Sequence, residues 1–442
     1  MNLILIVFGK FMALFFHFFN VGSGSTWPGH IALSLNPNFI KDTLRNSKTK
    51  IVLIAGTNGK TTTGKLIQSI LEKSGKKVFQ NQAGANLLNG IASSLVRYST
   101  VAGKVNYDYA IFEIDENTLP LILKEITPNY ILLLNLFRDQ LDRYGEVNIV
   151  ANKWRDALKK LNSKTTLILN ADDPQIASLR RHLEGELKRH VLFFGLDDKK
   201  LATKNYQHAS DSTYCPNCGS KLLYSSTYYS HLGVWRCPKC KNIRPKLNIK
   251  EFSFYPLVGI YNCYNTNTAV LLARHIGVEE LVIENALRDF KPAFGRQEDL
   301  EINGKRVKIF LSKNPTSFNE SLRTIASLDA KNLLIILNDR IPDGRDVSWI
   351  WDVDFEDYIS QFKSIVISGD RAYDMALRIK YATQNSNAQS QNYNSKFKTY
   401  EGLKEAISKS LKFTSENETL YVLPTYSAML EVRKILTGKK IL

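Results

Sequence analysis

The sequence predicts an α/β protein with a P-loop ATPase domain on a parallel sheet, an inserted four-cysteine zinc ribbon, and a C-terminal α/β domain of Rossmann type. Three observations carry this. Short unbroken apolar runs alternate with helical stretches from residue 50 to about 200, a glycine- and threonine-rich loop follows the first run, and the alternation resumes after residue 299. Unbroken apolar strands between helices belong to parallel sheets covered on both faces.

The N-terminal stretch MNLILIVFGKFMALFFHFFN is apolar but broken by Lys10 and His17. It has neither a basic n-region nor a small-residue cleavage site, which argues against a signal peptide. A membrane-spanning helix needs roughly 17–25 apolar residues, so this one sits at the lower limit. A helix lying on a membrane surface or docked in a groove is the favoured reading, with a true anchor as the alternative. Gly, Ser and Pro over 21–45 suggest a loop and connecting helix, so residues 1–45 read as an apolar helix and linker.

Residues 46–298 read as the ATP-binding domain. The strand 51-IVLIAG-56 runs into GTNGKTTT and then a helical pattern. Gly56 and Gly59 let backbone N–H groups turn onto phosphates, Lys60 places a charge near the β- and γ-phosphates, and the Thr61 hydroxyl can ligate Mg²⁺. Thr57, Asn58 and Thr62 complete the expected ATP-binding loop. The next strand ends in 111-IFEIDE-116, where Glu113 is the candidate second Mg²⁺ ligand and Asp115 its runner-up, because Mg²⁺ prefers oxygen donors. The run 130-YILLLN-135 leads into 135-NLFRDQLDRYGE-146, and 166-TLILN-170 leads into NADDP. This would set Asn135, Arg138, Asp139 and Asp172 along one sheet edge, where open α/β sheets place ligands. The bland reading of Asp172 to Pro174 is a turn and helix cap.

Residues 212–250 break the rhythm. 215-CPNC-218 and 237-CPKC-240 match a zinc ribbon, in which Cys215, Cys218, Cys237 and Cys240 close a tetrahedron around a structural Zn²⁺. Tyr224, Tyr228, Tyr229 and Trp235 lie between the knuckles. They could stack on bases, but more often such rings form the ribbon's small core. The fifth cysteine, Cys263, reads as a buried structural thiol with no histidine beside it in sequence. Five cysteines in 442 residues fit a reducing cytoplasm better than a disulfide scaffold. The net charge of +17 suits an anionic partner or substrate, or only a lysine-rich surface.

Helical periodicity returns over 265–290, and residues 299–442 form the second α/β domain. Its strands are expected at 306–312, 333–338, 364–369 and 419–425, with a polar low-complexity loop over 383–396. Asp343, Gly344, Arg345 and Asp346 follow the strand at 333–338 and so lie at a strand's C-terminal end, while Trp349 and Trp351 read as packing residues.

GTNGKTTT, Glu113, NLFRDQLD, NADDP and 259-GIYNCYNTNTA-269 together resemble the Mur ligase superfamily, which includes folylpolyglutamate synthases, over about residues 50–300. The resemblance implies ATP-driven conversion of a carboxylate to an acyl phosphate that an amine then attacks. It implies that Asn262 and Asn265 lie at the nucleotide, Asn265 near the adenine, and that Arg296 in FGRQE meets phosphate. Where amino-acid-adding members carry a histidine this sequence has Gln140, which puts a second metal site in doubt. Only about 45 residues precede the P-loop strand, so a UDP-sugar-gripping domain is not expected.

The ribbon, 312-SKNPTSFNE-320 and the DGRDVSWIWD segment narrow the resemblance to the synthetase subunits of lipid II isoglutaminyl synthases. That resemblance implies amidation of the D-glutamate α-carboxylate of the lipid II stem peptide at the cytoplasmic membrane face, with ammonia from a GatD-like class I glutaminase. It implies that Asp346, with Asp352 as second choice, completes the partner's catalytic Cys–His arrangement. Two rivals are a ligase of the same fold adding an amino acid and a nucleic-acid-binding ATPase using the ribbon. The second is disfavoured because only Lys239, Lys241 and Arg244 supply charge there.

Overall fold

The computed structural model describes residues 2–19, 26–81, 84–139, 146–161, 164–203, 207, 210–385 and 397–438, with side chains of the first helix only through residue 12. Within these, two six-stranded sheets and one hairpin organise the chain.

The first sheet has the order β2-β3-β1-β4-β5-β6, all parallel. Its strands are β1 (Lys50–Ala55), β2 (Val78–Gln80), β3 (Tyr109–Ile114), β4 (Tyr130–Leu133), β5 (Thr166–Asn170) and β6 (Val191–Phe194). Successive residues of β1 enter opposite cores: Ile51, Leu53 and Ala55 on one face, Val52 and Ile54 on the other. This is why these strands read as unbroken apolar runs. The chain order reverses at β1, which has β3 on one side and β4 on the other. A crevice therefore opens at its C-terminal end. From that end α4 (Lys60–Lys73) departs.

The stretch expected as a linker is largely helical. α1 (Asn2–Phe19), α2 (Trp27–Leu35) and α3 (Phe39–Leu44) pack against α5 (Leu88–Tyr98). Gly29 makes the α2 contact possible: a Cβ there would lie 1.9 Å from the Asn89 carbonyl oxygen, and its N–H donates to Ser93 Oγ at 2.8 Å. α1 buries Leu5 and Ile6 and exposes Leu3, Ile4, Val7, Phe8 and Phe11. No described helix is long and apolar enough to cross a membrane.

The first sheet's remaining helices are α6 (Leu119–Glu125), α7 (Val147–Leu158), α8 (Pro174–Ser178), α9 (Ile260–His275) and α10 (Glu280–Arg288). Between β6 and α9 lies the ribbon, with its hairpin of β7 (Leu223–Tyr229) and β8 (Leu232–Arg236). Tyr228, Tyr229 and Trp235 are buried, and Trp235 Nε1 donates to the Ala171 carbonyl at 3.0 Å. These three aromatics dock the ribbon onto the sheet as core residues. Arg244 locks the attachment: its Nε donates to Asp172 Oδ1 at 2.6 Å, while Tyr264 Oη donates to Asp172 Oδ2 at 2.6 Å. Asp172 is thus a structural tie, and Asp173 caps α8 through Gln175 N at 2.9 Å.

The second sheet has the order β13-β12-β11-β14-β10-β9, parallel except for β9. It comprises β9 (Arg296–Ile302), β10 (Lys305–Phe310), β11 (Asn332–Ile336), β12 (Ser364–Ser368), β13 (Phe397–Thr399) and β14 (Thr419–Pro424). Its helices are α11 (Pro315–Ala326), α12 (Ala372–Asn385), α13 (Leu403–Phe413) and α14 (Tyr426–Thr437). The boundary expected at 298/299 falls within β9, whose first residue is Arg296. That arginine enters the site from the second sheet.

Candidate functional site

Gly56 and Gly59 have φ of +145° and +92°, which let the loop after β1 fold over the start of α4. A Cβ on Gly56 would press 2.9 Å from Leu134 Cβ, so the loop lies flat on the end of β4. Asn135 clamps it from below: its Oδ1 accepts from Asn58 N at 2.8 Å and its Nδ2 donates to the Asn58 carbonyl at 3.0 Å. Lys60 folds its ammonium back onto the Gly56 carbonyl and lies 3.6 Å from Glu116.

Thr61 Oγ1 donates to Glu113 Oε2 at 2.6 Å, so the two expected Mg²⁺ ligands meet although 52 positions separate them. Burial pushes the Glu113 carboxyl above its usual range, while Thr61, Lys60 and Arg296 draw it back. A hydroxyl and a carboxylate side by side beneath a phosphate-binding loop are the hard oxygen donors that Mg²⁺ takes. Asp115 does not join them. The strand ends at Ile114, and Asp115 Oδ1 accepts from Asn117 N at 3.0 Å, holding the following turn.

Asn262 and Asn265 stand on the first turns of α9 and line the same cleft as Asn58, Gly59 and Thr62. Asn265 Nδ2 donates to Asn262 Oδ1 at 3.0 Å, and its Oδ1 accepts from Thr63 Oγ1 at 3.3 Å. Asn265, expected near the adenine, therefore lies against the phosphate loop. Arg296 lines the cleft from the opposite side. Burial lowers its pKa and Glu113 opposes that; among the described residues its guanidinium has no hydrogen-bonded partner. Such an arginine is poised for an anion. Its neighbour Gln297 has φ of +61°, held there by Nε2 donating to the Val258 carbonyl and Tyr261 Oη, each at 2.7 Å.

Two residues at the site were not singled out by sequence reasoning, Glu116 and Lys313, nor was the pairing of Asp139 with Lys313. Lys313 precedes α11 and pairs with Asp139. Burial would lower its pKa, but Asp139 and Glu116 carry it above the usual lysine value. The loop that holds Lys313 also brings Asn314 to Asn58, their side-chain amides exchanging hydrogen bonds at 3.2 and 3.4 Å. Glu116 was legible as the last acid of IDE, and Lys313 as the one cation of SKNPTSFNE. Gln140 lies outside the described residues.

Asp346 lies elsewhere. It is exposed, its Oδ1 accepts from Ser348 N at 2.8 Å, and Ser348 holds its carboxyl below the usual range. Yet it rims a second cleft, with Asp352 and Trp349, whose floor is Asp139 and Lys313. Asp352 reaches Arg138 at 3.6 Å, and Arg138 also pairs with Asp211.

The four ribbon thiols all lie within 4.8 Å of one another, with Cys215–Cys240 and Cys218–Cys237 Sγ pairs at 3.5 Å. Four sulfurs at about 2.3 Å from a tetrahedral Zn²⁺ stand roughly 3.8 Å apart, so the set fits the ion with small shifts. Cys263 is apart from them, its thiol pushed up to about 12 by burial, as suits a structural residue.

Fold and site together define a ligase of the Mur type. The Mur ligase middle domain family model matches residues 54–273, and the MurT ligase C-terminal model matches residues 311–429. The chain is 34% identical over 379 residues to the lipid II isoglutaminyl synthase (glutamine-hydrolyzing) subunit MurT of Staphylococcus aureus (strain COL), covering 81% of this chain and 83% of that one. It is 30% identical to the subunit of the same name from Streptococcus pneumoniae (strain ATCC BAA-255 / R6), covering 95% and 94%. The chain belongs to the MurT family. Among solved structures it resembles a pseudomurein peptide ligase type C from Methanothermus fervidus, with a TM-score of 0.64 at 21% identity over 90% of this chain and 81% of that one. The Mur ligase fold is shared.

Proposed function

We propose that this chain is the synthetase subunit of a glutamine-dependent amidotransferase. It converts the D-glutamate α-carboxylate of the lipid II stem peptide to the amide of D-isoglutamine at the cost of ATP. The observation that carries the reading is that Lys60, the Thr61–Glu113 pair, Arg296 and Lys313 lie within electrostatic reach of one another around Glu113 and Glu116, in a chain of the MurT family.

Thr61 and Glu113 would hold Mg²⁺, which would neutralise charge on the triphosphate. The residues Gly56 to Thr62 cradle the triphosphate through backbone N–H groups and Lys60. The substrate carboxylate oxygen attacks the γ-phosphorus, the bond to the β-bridging oxygen breaks, and ADP departs. Lys313 and Arg296, on the second sheet's side, flank the crevice where negative charge gathers. Ammonia attacks the acyl carbon, its lost proton passes to a nearby carboxylate or water, and phosphate leaves. Most of the acceleration comes from positioning and fixed charge.

The ammonia comes from a GatD-like class I glutaminase subunit. The names of the relatives support this, since both are glutamine-hydrolyzing synthase subunits, and the half-buried Cys263 has its thiol pushed up to about 12, which leaves little nucleophilic thiolate near neutral pH. Asp346 belongs to the partner's Cys–His site, for which its exposure and lowered pKa suit it. The exposed face of Leu3, Ile4, Val7, Phe8 and Phe11 suits peripheral contact with the membrane that holds the lipid-linked substrate. The test is Asp346→Asn in the co-purified complex: glutamine-dependent amidation should fall while activity with free ammonium persists. Equal loss in both assays removes Asp346 from the partner's site, and no glutaminase co-purifying removes the partner.

A further inference from the structure

The nucleotide cleft contains a buried acid that the reaction above leaves unused. Glu320 lies on α11, is 2% exposed, and lines the cleft together with Tyr229, Tyr261 and Ser317. Its Oε1 accepts from Gln207 Nε2 at 3.0 Å, and Arg323 comes within 3.8 Å of the same oxygen. Oε2 has no hydrogen-bond partner among the described residues. Arg323 does not supply one, because its Nη1 is committed to the Tyr228 carbonyl at 2.7 Å. A buried, unsatisfied carboxylate oxygen costs about 1–3 kcal/mol or more, so its retention needs a reason.

Position supplies one. α11 is capped by Asn314, whose side chain touches Asn58 of the phosphate loop. Six residues at 1.5 Å rise put Glu320 about 9 Å along the helix axis from that contact, so a triphosphate held at the loop would leave this acid on the nucleoside's side. An acid beside phosphate would repel it; one beside the nucleoside meets neutral hydrogen-bond donors. Leu257, Phe310 and Leu311 give that end of the cleft apolar walls, and two tyrosine rings flank it, as a purine nucleoside requires.

We propose that Glu320 is a specificity-determining residue for the nucleotide, its free oxygen accepting a hydrogen bond from the nucleoside of bound ATP. The donor is a ribose 2′- or 3′-hydroxyl or the 6-amino group. The inference rests on the reading of this cleft as the ATP site. Burial raises the Glu320 carboxyl to about 7, consistent with an acceptor that is under-solvated until a donor arrives.

The experiment is calorimetric binding to the full chain with Mg²⁺, for wild type and Glu320→Gln. Three nucleotides are compared: ATP, 2′,3′-dideoxy-ATP, and the purine ribonucleoside triphosphate lacking the 6-amino group. Wild type should prefer ATP by about tenfold or more over whichever analogue lacks the donor, and Glu320→Gln should reduce that preference to within threefold. Loss of the preference against the dideoxy analogue assigns the ribose; loss against the deaminated analogue assigns the base. A purely structural role would weaken all three ligands equally and leave the preferences intact, which overturns the proposal, as does a variant indistinguishable from wild type. Failure of wild type to bind any of the three refutes the ATP site itself and is a different outcome.

Discussion

Replacing Gly59 by alanine tests the phosphate loop most sharply. Gly59 has φ of +92°, and a Cβ there would lie 2.2 Å from Asn265 Oδ1 and 3.2 Å from Asn265 Cγ. An L-residue in the left-handed region costs about 1–3 kcal/mol. Asn265 is buried and tied to Thr63 and Asn262, so driving it off its rotamer adds roughly 0.5–1.5 kcal/mol. The total is about 2–4 kcal/mol, paid either by opening the loop or by expelling Asn265 from the cleft. Both outcomes damage nucleotide binding, so calorimetric Kd for Mg·ATP should rise by roughly thirtyfold to several hundredfold. Gly75→Ala is the control: its φ is +80° but nothing lies within 4 Å of the added Cβ. That variant should lose stability without changing ATP affinity. A Gly59→Ala protein that binds ATP within threefold of wild type would refute the reasoning.

Three further outcomes follow from the packing. Asp172→Ala strands Arg244 and Tyr264 in the ribbon's attachment, and loss of one partner of a buried pair costs about 3–5 kcal/mol. The Tm should fall by roughly 6–20 °C; a fall no larger than for Asp289→Ala, which breaks only the exposed pair with Lys73, would contradict this role. Glu320 has a folded pKa of about 7 against an ordinary 4.5, so the unfolded chain releases that proton first as pH rises. Without nucleotide, the stability of Glu320→Gln relative to wild type should therefore rise by up to about 3 kcal/mol between pH 4.5 and 7 and level off above; a falling or flat difference in denaturant titrations is the contrary result. Purified protein should carry one zinc per chain by elemental analysis, and chelation should lower Tm; zinc-free protein of unchanged Tm would dissociate the four thiols from any metal.

Much of the fold was legible because the parallel strands of both sheets bury both faces, so β1, β3, β11 and β14 stand out as apolar runs. β2 and β13 did not, since three residues leave no pattern to read. β9 was hidden for another reason: as an antiparallel edge strand, its residues 296-RQEDLEI-302 are polar and half-exposed, and a boundary drawn by apolar runs passes through it. In the site, Lys60, Thr61 and Glu113 were legible from local grammar of strand, glycine loop and strand-end acid. Asp115, the runner-up to Glu113, lies one residue past the end of the strand, where it holds the following turn through Asn117 N. Glu116 and Lys313 acquire meaning only through distant partners, Lys60 and Asp139, the latter 174 positions away. Glu320 is on the face of an amphipathic helix, and only the assembled cleft distinguishes it from any other buried polar residue.

The central claim is that the substrate carboxylate is phosphorylated before ammonia arrives. The direct measurement labels both oxygens of the D-glutamate α-carboxylate with ¹⁸O and follows the phosphate released by the complex with ATP and ammonium. One ¹⁸O should appear in phosphate per amide formed. Amide formed with unlabelled phosphate would contradict the acyl phosphate and, with it, the role given to the crevice.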